Sequence, residues 1–460
     1  MTSLTRSLVA ISALSLLAAC SNDDGPSCNL NGGTELAATA WPKFQADPAN
    51  SGRSPVDLSV NGGAGGVLFP PSGQRIGPTQ TAPVLGGDFI YLGSSDTNVY
   101  VLNYDGTVAP VCQPDSTEPC LEDQIMLSGA VTGTPLLGAN GVLFVPTNGV
   151  LAQYEADGKI KNNATLPGFD AASPNIWNGD GTAYTGTLSG GFLGVCPNGV
   201  SRYQLSFPST QSAAAIAQDP NVPQQMTPII VAAGLAGQVR AYNIRGRQRW
   251  SFFASTTVDA AALIDESTDI FYVADLNGRV FAGNLANGSL VSSFSFAGGE
   301  AISASMALGR DDAPVPTLYV ADEGGTLYAL NRATGGIRWT FQAAGPIGSS
   351  PVVATGGPSD IIVFGADVLG TVGSSSVPVP IDGRVYAIRD DGDRATPLWS
   401  FEAGASIGAS SPAIGNDGTV YIGRQGQQLG SGAQCLGGQA TCTISVGGAL
   451  YGIGAGAPTS

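Results

Sequence analysis

The sequence predicts an all-β fold: an eight-bladed β-propeller of four-stranded blades, its last blade closed by an N-terminal strand. Three observations carry that prediction. They are a composition rich in turn formers, a repeat built of strand-sized pieces, and one piece missing from the C-terminal end that reappears near the N-terminus. The 460 residues include Gly 65 and Pro 30, with 43% hydrophobic but only 12% charged residues. Gly and Pro are the weakest helix formers, so such a chain can bury a large core but favours short strands and tight turns.

Each repeat opens on a Ser/Thr/Ala-rich step such as Ser349-Ser350-Pro351, followed by an apolar run. An aromatic or branched residue followed closely by Gly or Ala comes next, as in Tyr319-Val320-Ala321 and Tyr421-Ile422-Gly423. A turn with Asp, Asn or Gly leads to Gly-x-Val/Leu-Tyr/Phe-Ala, as in Gly325-Thr326-Leu327-Tyr328-Ala329 and Gly383-Arg384-Val385-Tyr386-Ala387. The unit ends on an aromatic-x-Phe step, in Phe294-Ser295-Phe296, Trp339-Thr340-Phe341 and Trp399-Ser400-Phe401. The pieces have strand length and alternation, so one unit reads as four antiparallel strands.

Opening steps fall near Ala82, Thr134, Ser173, Ala213, Ala260, Ser303, Ser350 and Ser411, most of them 39 to 47 residues apart. Four-stranded units at that spacing are the sequence form of a propeller. The eighth unit runs through Gly448-Ala449-Leu450-Tyr451 and stops before any aromatic-x-Phe strand. The missing strand precedes unit one, where Val67-Leu68-Phe69 is followed by Ile76-Gly77-Pro78-Thr79, as Trp399-Ser400-Phe401 is followed by Ile407-Gly408-Ala409-Ser410. Closing the ring this way removes an open sheet edge.

The N-terminus reads as an address. Arg6 precedes an apolar run, Leu8 to Leu17, too short to span a bilayer as a helix and followed by Leu17-Ala18-Ala19-Cys20. This resembles the lipobox of bacterial lipoproteins, in which Cys20 becomes the acylated first residue of the mature chain, and Ser21 in second position fits the outer membrane. The expected organisation is a signal peptide over 1–19, a flexible tether over 20–40 and one propeller over 41–460. The tether has a root-mean-square reach of roughly 25 Å as a random coil. Six cysteines remain, an even number for an oxidising compartment. Cys112 and Cys120 bracket one short segment and Cys435 and Cys442 another, so each pair can staple a local loop, which leaves Cys28 and Cys196 by elimination.

His is absent and the formal net charge is −16. That removes Ser-His-Asp and Cys-His catalysis and disfavours nucleic acid, whose phosphates the acidic field repels. The only lysines are Lys43, Lys159 and Lys161, which speaks against a polybasic membrane surface.

The repeats and the opening Trp41-Pro42-Lys43-Phe44-Gln45-Ala46-Asp47-Pro48-Ala49-Asn50-Ser51-Gly52-Arg53-Ser54-Pro55 resemble the PQQ-like propeller repeat proteins, over about Trp41 to Ile453. The resemblance implies that the fourth-strand tryptophans Trp250, Trp339 and Trp399 pack between neighbouring blades. Units one and two carry Met126 and Leu166 instead and must pack differently. The superfamily holds quinoprotein dehydrogenases and also the non-enzymatic lipoprotein of the outer-membrane β-barrel assembly machinery. The dehydrogenases would show a vicinal Cys-Cys pair, an axial Asp and carboxylate ligands for calcium. This chain has no Cys-Cys pair, and Asp96, Asp275, Asp322 and Glu323 fall between second and third strands, where they read as hairpin turns.

Two features stand out as candidate interaction sites. Units seven and eight are lengthened between second and third strands, over Ala366 to Asp382 and Arg424 to Gly447, so Asp367, Asp382, Arg424 and Gln425 should sit on loops of one face. Unit one is lengthened on the other face, over Ala109 to Cys120. The basic cluster Arg240, Arg245, Arg247 and Arg249 is the most unusual local field on an acidic chain. The expected function is a membrane-tethered, non-enzymatic binding or scaffold propeller at the cell envelope, held by a lipid anchor and engaging a protein or peptide. It would need no cofactor and no metal. The alternatives are a PQQ-dependent oxidoreductase, with PQQ and calcium as cofactors, and a carbohydrate-binding or adhesion module.

Overall fold

The computed structural model describes residues 35–71, 75–107, 124–139, 141–155, 160–165, 170–177, 181–196, 198–222, 227–371, 378–429 and 444–454. Among these, every regular element is a strand. The strands group into eight sheets, one for each predicted unit, seven of four antiparallel strands and one of five, plus a two-stranded sheet of Gln427–Leu429 and Ile444–Val446. The inner strands start within four residues of the predicted steps: Val84–Leu85, Leu136–Leu137, Asn175–Ile176, Ala215–Gln218, Leu263–Asp265, Ala307–Leu308, Val352–Ala354 and Ala413–Ile414.

Patterning explains the order within a blade. Second strands such as Pro228–Ala233 and Thr317–Ala321 are buried throughout, because a neighbouring blade covers each face. Outer strands such as Ile337–Gln342 alternate exposed and buried residues, as an edge facing solvent requires. Blade 8 is completed from the N-terminus: Gly65–Phe69 pairs antiparallel with Ala449–Ile453, Gly65 opposite Ile453 and Phe69 opposite Leu450.

The opening steps form the inner wall, and their hydroxyls join the blades. Thr134 Oγ1 accepts from the Ala82 amide at 3.1 Å, and Ser173 Oγ from the Thr134 amide at 2.8 Å. Ser305 Oγ accepts from Ala261, Ser350 Oγ from Ser305 and Ser411 Oγ from Ser350, at 2.8, 3.0 and 3.0 Å. The Ser410 hydroxyl then donates to the Thr81 carbonyl at 3.1 Å, which closes the ring between blades 8 and 1. Around blade 4 amides take over. Asn175 Nδ2 donates to Ala214 O at 2.7 Å, and Asn50 Nδ2 to Ala214 O at 3.2 Å and Ala262 O at 2.9 Å.

Asn50 belongs to an N-terminal segment that circles beneath the blades. Inner-strand amides of Leu85, Leu137, Ile216, Ile264, Leu308 and Val353 donate to the carbonyls of Trp41, Pro42, Pro48, Ala49, Ser51 and Gly52. Arg53–Ser54 then adds parallel to Val352–Ala354, so blade 7 has five strands. The buried Lys43 ammonium is the hub, donating to Phe44 O, Asp47 O and Asn50 Oδ1 at 2.5, 2.8 and 2.7 Å. It holds Gln45, Ala46 and Asn50 in the left-handed backbone region, with φ of 58°, 65° and 57°.

Two expectations are corrected. The tether read over 20–40 ends earlier: Leu36 bridges Gly138, the Ala37 amide donates to Leu137 O at 3.0 Å and Ala139 donates to Glu35 O at 2.7 Å. These residues satisfy the exposed backbone groups of the blade 2 edge, a reason for order that polar composition does not reveal. The outer strand of blade 5 is only Phe296–Ala297 rather than the full aromatic-x-Phe step.

Candidate functional site

In an antiparallel four-stranded blade, the connections between blades and the turns between second and third strands share one face. On that face a cavity of about 400 Å³ opens along the axis, lined by the opening steps of all eight blades. Phe44, carried by the N-terminal segment, forms its floor. The wall is small and hydroxylic, as at Thr132, Thr134, Ser173, Ser305 and Ser350. Its charged lining residues, among the described residues, are Asp170 and Asp259. Burial first, and the nearby Glu323 second, push the Asp259 carboxyl above its ordinary range.

That lining does not fit the quinone alternative. PQQ carries three carboxylates, and among the described residues the wall offers carboxylates and no Arg or Lys to pair with them. Asp275 Oδ1 accepts from the Asn277 and Arg279 amides, both at 3.0 Å, and Asp322 Oδ1 from the Thr326 amide at 2.8 Å. Asp96 accepts from the Gly77 amide at 2.6 Å and the Tyr100 hydroxyl at 2.8 Å. Each carboxylate is therefore used in closing its own corner of the blade.

The described parts of the insertions of units seven and eight lie on this face as paired strands. Blade 7 extends as a hairpin, Ile361–Gly370 against Val379–Asp390, because apolar and β-branched residues prolong the ladder through Val368 opposite Asp382 and Gly370 opposite Val379. Blade 8 extends through Gln427–Leu429 against Ile444–Val446. Both hairpins are fixed to one connection. Asp367 accepts from the Ser406 hydroxyl and the Ile407 and Gly408 amides at 3.0, 2.9 and 3.1 Å. The Gln425 amide donates to Ser406 O at 3.0 Å. Asp367 and Gln425 thus converge on Ser406, whereas Asp382 accepts only locally, from the Gly383 amide at 2.7 Å. Arg424 points into blade 8, donating to Tyr451 Oη at 2.7 Å and Gly447 O at 3.2 Å. The hairpin of blade 7 carries Leu369 and Ile381, each 42% exposed.

The arginine cluster is divided among different neighbours. Arg240 lies over the Phe207 ring at 5.4 Å and donates to Ser206 O at 3.1 Å, while Arg249 pairs with Asp219 at 3.1 Å. Arg245 and Arg247 sit at the turn between them, their amides donating to Asn243 Oδ1 at 3.0 and 2.9 Å. Trp250 and Trp339 are buried, with Trp399 partly so; each lies in the core clusters that join its blade to the next. Met126, in the equivalent place of blade 1, is 66% exposed, and Leu166 lies outside the described residues. Cys196 is buried and disulfide-bonded. Cys20, Cys28, Cys112, Cys120, Cys435 and Cys442 lie outside the described residues.

The family model described as outer membrane protein assembly factor BamB matches residues 302–440, from the start of blade 6 into blade 8. The crystal structure of BamB from Moraxella catarrhalis is similar at 16% identity, over 83% of this chain and 95% of that chain, with a TM-score of 0.55. The computationally designed Ika8 protein is similar at 14% identity over 78% and 96%, with a TM-score of 0.54. The C-terminal WD40 domain of Sif2 is similar at 11% identity over 85% and 99%, with a TM-score of 0.57. No curated protein matches the sequence. The chain is an eight-bladed propeller whose fold is similar to that of BamB, and the BamB family model matches it over residues 302–440.

Proposed function

We propose that this propeller is a non-enzymatic scaffold of the cell envelope, tethered to the outer membrane through Cys20, that holds a partner protein on its channel-mouth face. The observation that carries this reading is the pair of hairpins from adjacent blades, anchored on Ser406 through Asp367 and Gln425. Rigid anchoring lowers the ordering cost of association, and exposed Leu369 and Ile381 supply apolar area of the kind that anchors interfaces. Resemblance to BamB, itself an assembly factor by description, supports a scaffold role and a place at the outer membrane.

The test places a photo-reactive amino acid at Leu369 or Ile381 and, as a control on another face, at Val200, which is exposed in the turn between the third and fourth strands of blade 3. Crosslinking in intact cells should give one discrete adduct from the hairpin positions and none from the control. Equal adducts from all three positions, or none from the hairpins, would remove the reading. Cys20→Ser should release the chain from the membrane fraction; unchanged fractionation and mass would remove the anchor.

A further inference from the structure

At three junctions the outer strand sets an indole opposite an alanine of the third strand: Trp250 opposite Ala241, Trp339 opposite Ala329 and Trp399 opposite Ala387. Two of these indoles bond the next blade at one equivalent position of the turn after its third strand. Trp250 Nε1 donates to Leu285 O at 2.7 Å, and Trp339 Nε1 to Asp390 Oδ1 at 2.9 Å. Trp250 also stacks on Phe271 of blade 5, with ring centroids 4.7 Å apart.

Blade 5 breaks the pattern. Its Ala282 stands where Ala241, Ala329 and Ala387 stand, but the ladder to the outer strand ends at Val280 opposite Phe296. The preceding chain meets the third strand once more, Leu290 bridging Gly283 and the Val291 amide donating to Ala282 O at 2.9 Å, and then turns away from it at Ser292–Ser293. Phe294 lies on Tyr272 of its own blade, centroids 5.6 Å apart, within the core shared with blade 6, and its ring has no N–H to donate there. A cavity of about 290 Å³ remains beside Ala282, walled by Tyr272, Val291 and Phe294 and, from blade 6, by Pro316 and Arg332. Arg332 holds the register of Leu285 and Asp390. Its carbonyl accepts the Tyr272 hydroxyl at 2.9 Å and keeps a second lone pair. Its guanidinium is balanced by Asp265 at 3.1 Å and Asp311 at 2.8 Å, so the cavity favours a neutral occupant.

We propose that this junction of blades 5 and 6 binds a tryptophan side chain presented by a partner polypeptide, in the place that Trp250, Trp339 and Trp399 fill from within the chain. An indole supplies a large apolar surface with one donor, which is the chemistry the junctions of Trp250 and Trp339 use. The cavity opens on the face opposite the hairpins, through turns at Thr268 and Asn331–Ala333, so it stands independently of the proposed scaffold face.

The probe is N-acetyl-tryptophanamide fluorinated on the indole, titrated against the purified full chain and followed by fluorine NMR. Saturable broadening is expected with wild type and not with N-acetyl-leucinamide as competitor. Phe294→Trp supplies the indole in cis and should weaken binding by at least about tenfold while circular dichroism is unchanged. A diazirine derivative of the same amide should label wild type within 290–296 or 331–333, an arm that needs no variant to fold. Absence of saturable binding, equal affinity for a folded Phe294→Trp, or labelling confined to other segments each overturns the proposal.

Discussion

The Ser350 amide donates to the Ser411 hydroxyl at 3.0 Å, and Ser350 in turn accepts from the Ser305 amide at the same distance. One small side chain thereby acts as acceptor for the blade before it, while its own amide is satisfied by the blade after it. Ser411→Ala leaves the Ser350 amide buried without a partner, which should cost about 1–3 kcal/mol in urea denaturation. Ser411→Thr, which keeps the hydroxyl, should recover most of the loss, and Ser350→Ala should behave like Ser411→Ala because each removes one junction bond.

Asn50 replaces the hydroxyl ring at blades 4 and 5. Asn50→Ala strips donors from the Ala214 and Ala262 carbonyls and removes the acceptor that Lys43 uses at 2.7 Å. The expected loss is about 2–4 kcal/mol, larger than for a single serine of the ring, measured by the same denaturation.

Burial pushes the pKa of Lys43 down from 10.5 to about 7, against the opposing pull of Asp47. Between those two values the unfolded chain holds more protons than the folded one, so stability rises with pH across that window and is flat in this group's contribution below it. Denaturation at pH 7 and pH 9.5 should show a gain for wild type that Lys43→Met lacks. An equal pH response in both proteins would remove the assignment.

Deleting residues 62–71 removes Gly65–Phe69 and leaves Ala449–Ile453 as an open edge in an otherwise closed ring. Size-exclusion chromatography should then show loss of the monomer peak to aggregates. Deleting 21–27, which spares Cys28, should leave the thermal midpoint unchanged, whereas extending that deletion through Ala40 removes Cys28, the expected partner of Cys196, together with the bonds of Glu35 and Ala37 to blade 2, and should lower it.

Blade number, strand order and the N-terminal closure were legible because each rests on a short-range signal. Alternation within five or six residues, a recurrent Gly-x-Val/Leu-Tyr/Phe-Ala step and an absent last strand all survive in a linear string. The extra length of units seven and eight also marked the face of the mouth, although it could not show that the described added residues prolong the ladders. Asp367 and Gln425 read as loop residues, and only the fold brings both to Ser406.

What the sequence by itself determined is the blade: its four strands, its turns, its repetition and its circular closure. Tertiary structure alone decided how blades are joined and what fills the spaces between them. Asn50 bonds Ala262 across 212 positions, and Gly65 pairs with Ile453; only the second contact has a repeat to announce it. The segment from Trp41 to Gly52 has no period, since six of its carbonyls meet amides of six different blades, and its order comes from inner-strand amides that would otherwise be buried unpaired. Phe294 illustrates the same limit, because an aromatic-x-Phe step looks alike whether its ring bonds the next blade or packs onto Tyr272 beside a cavity.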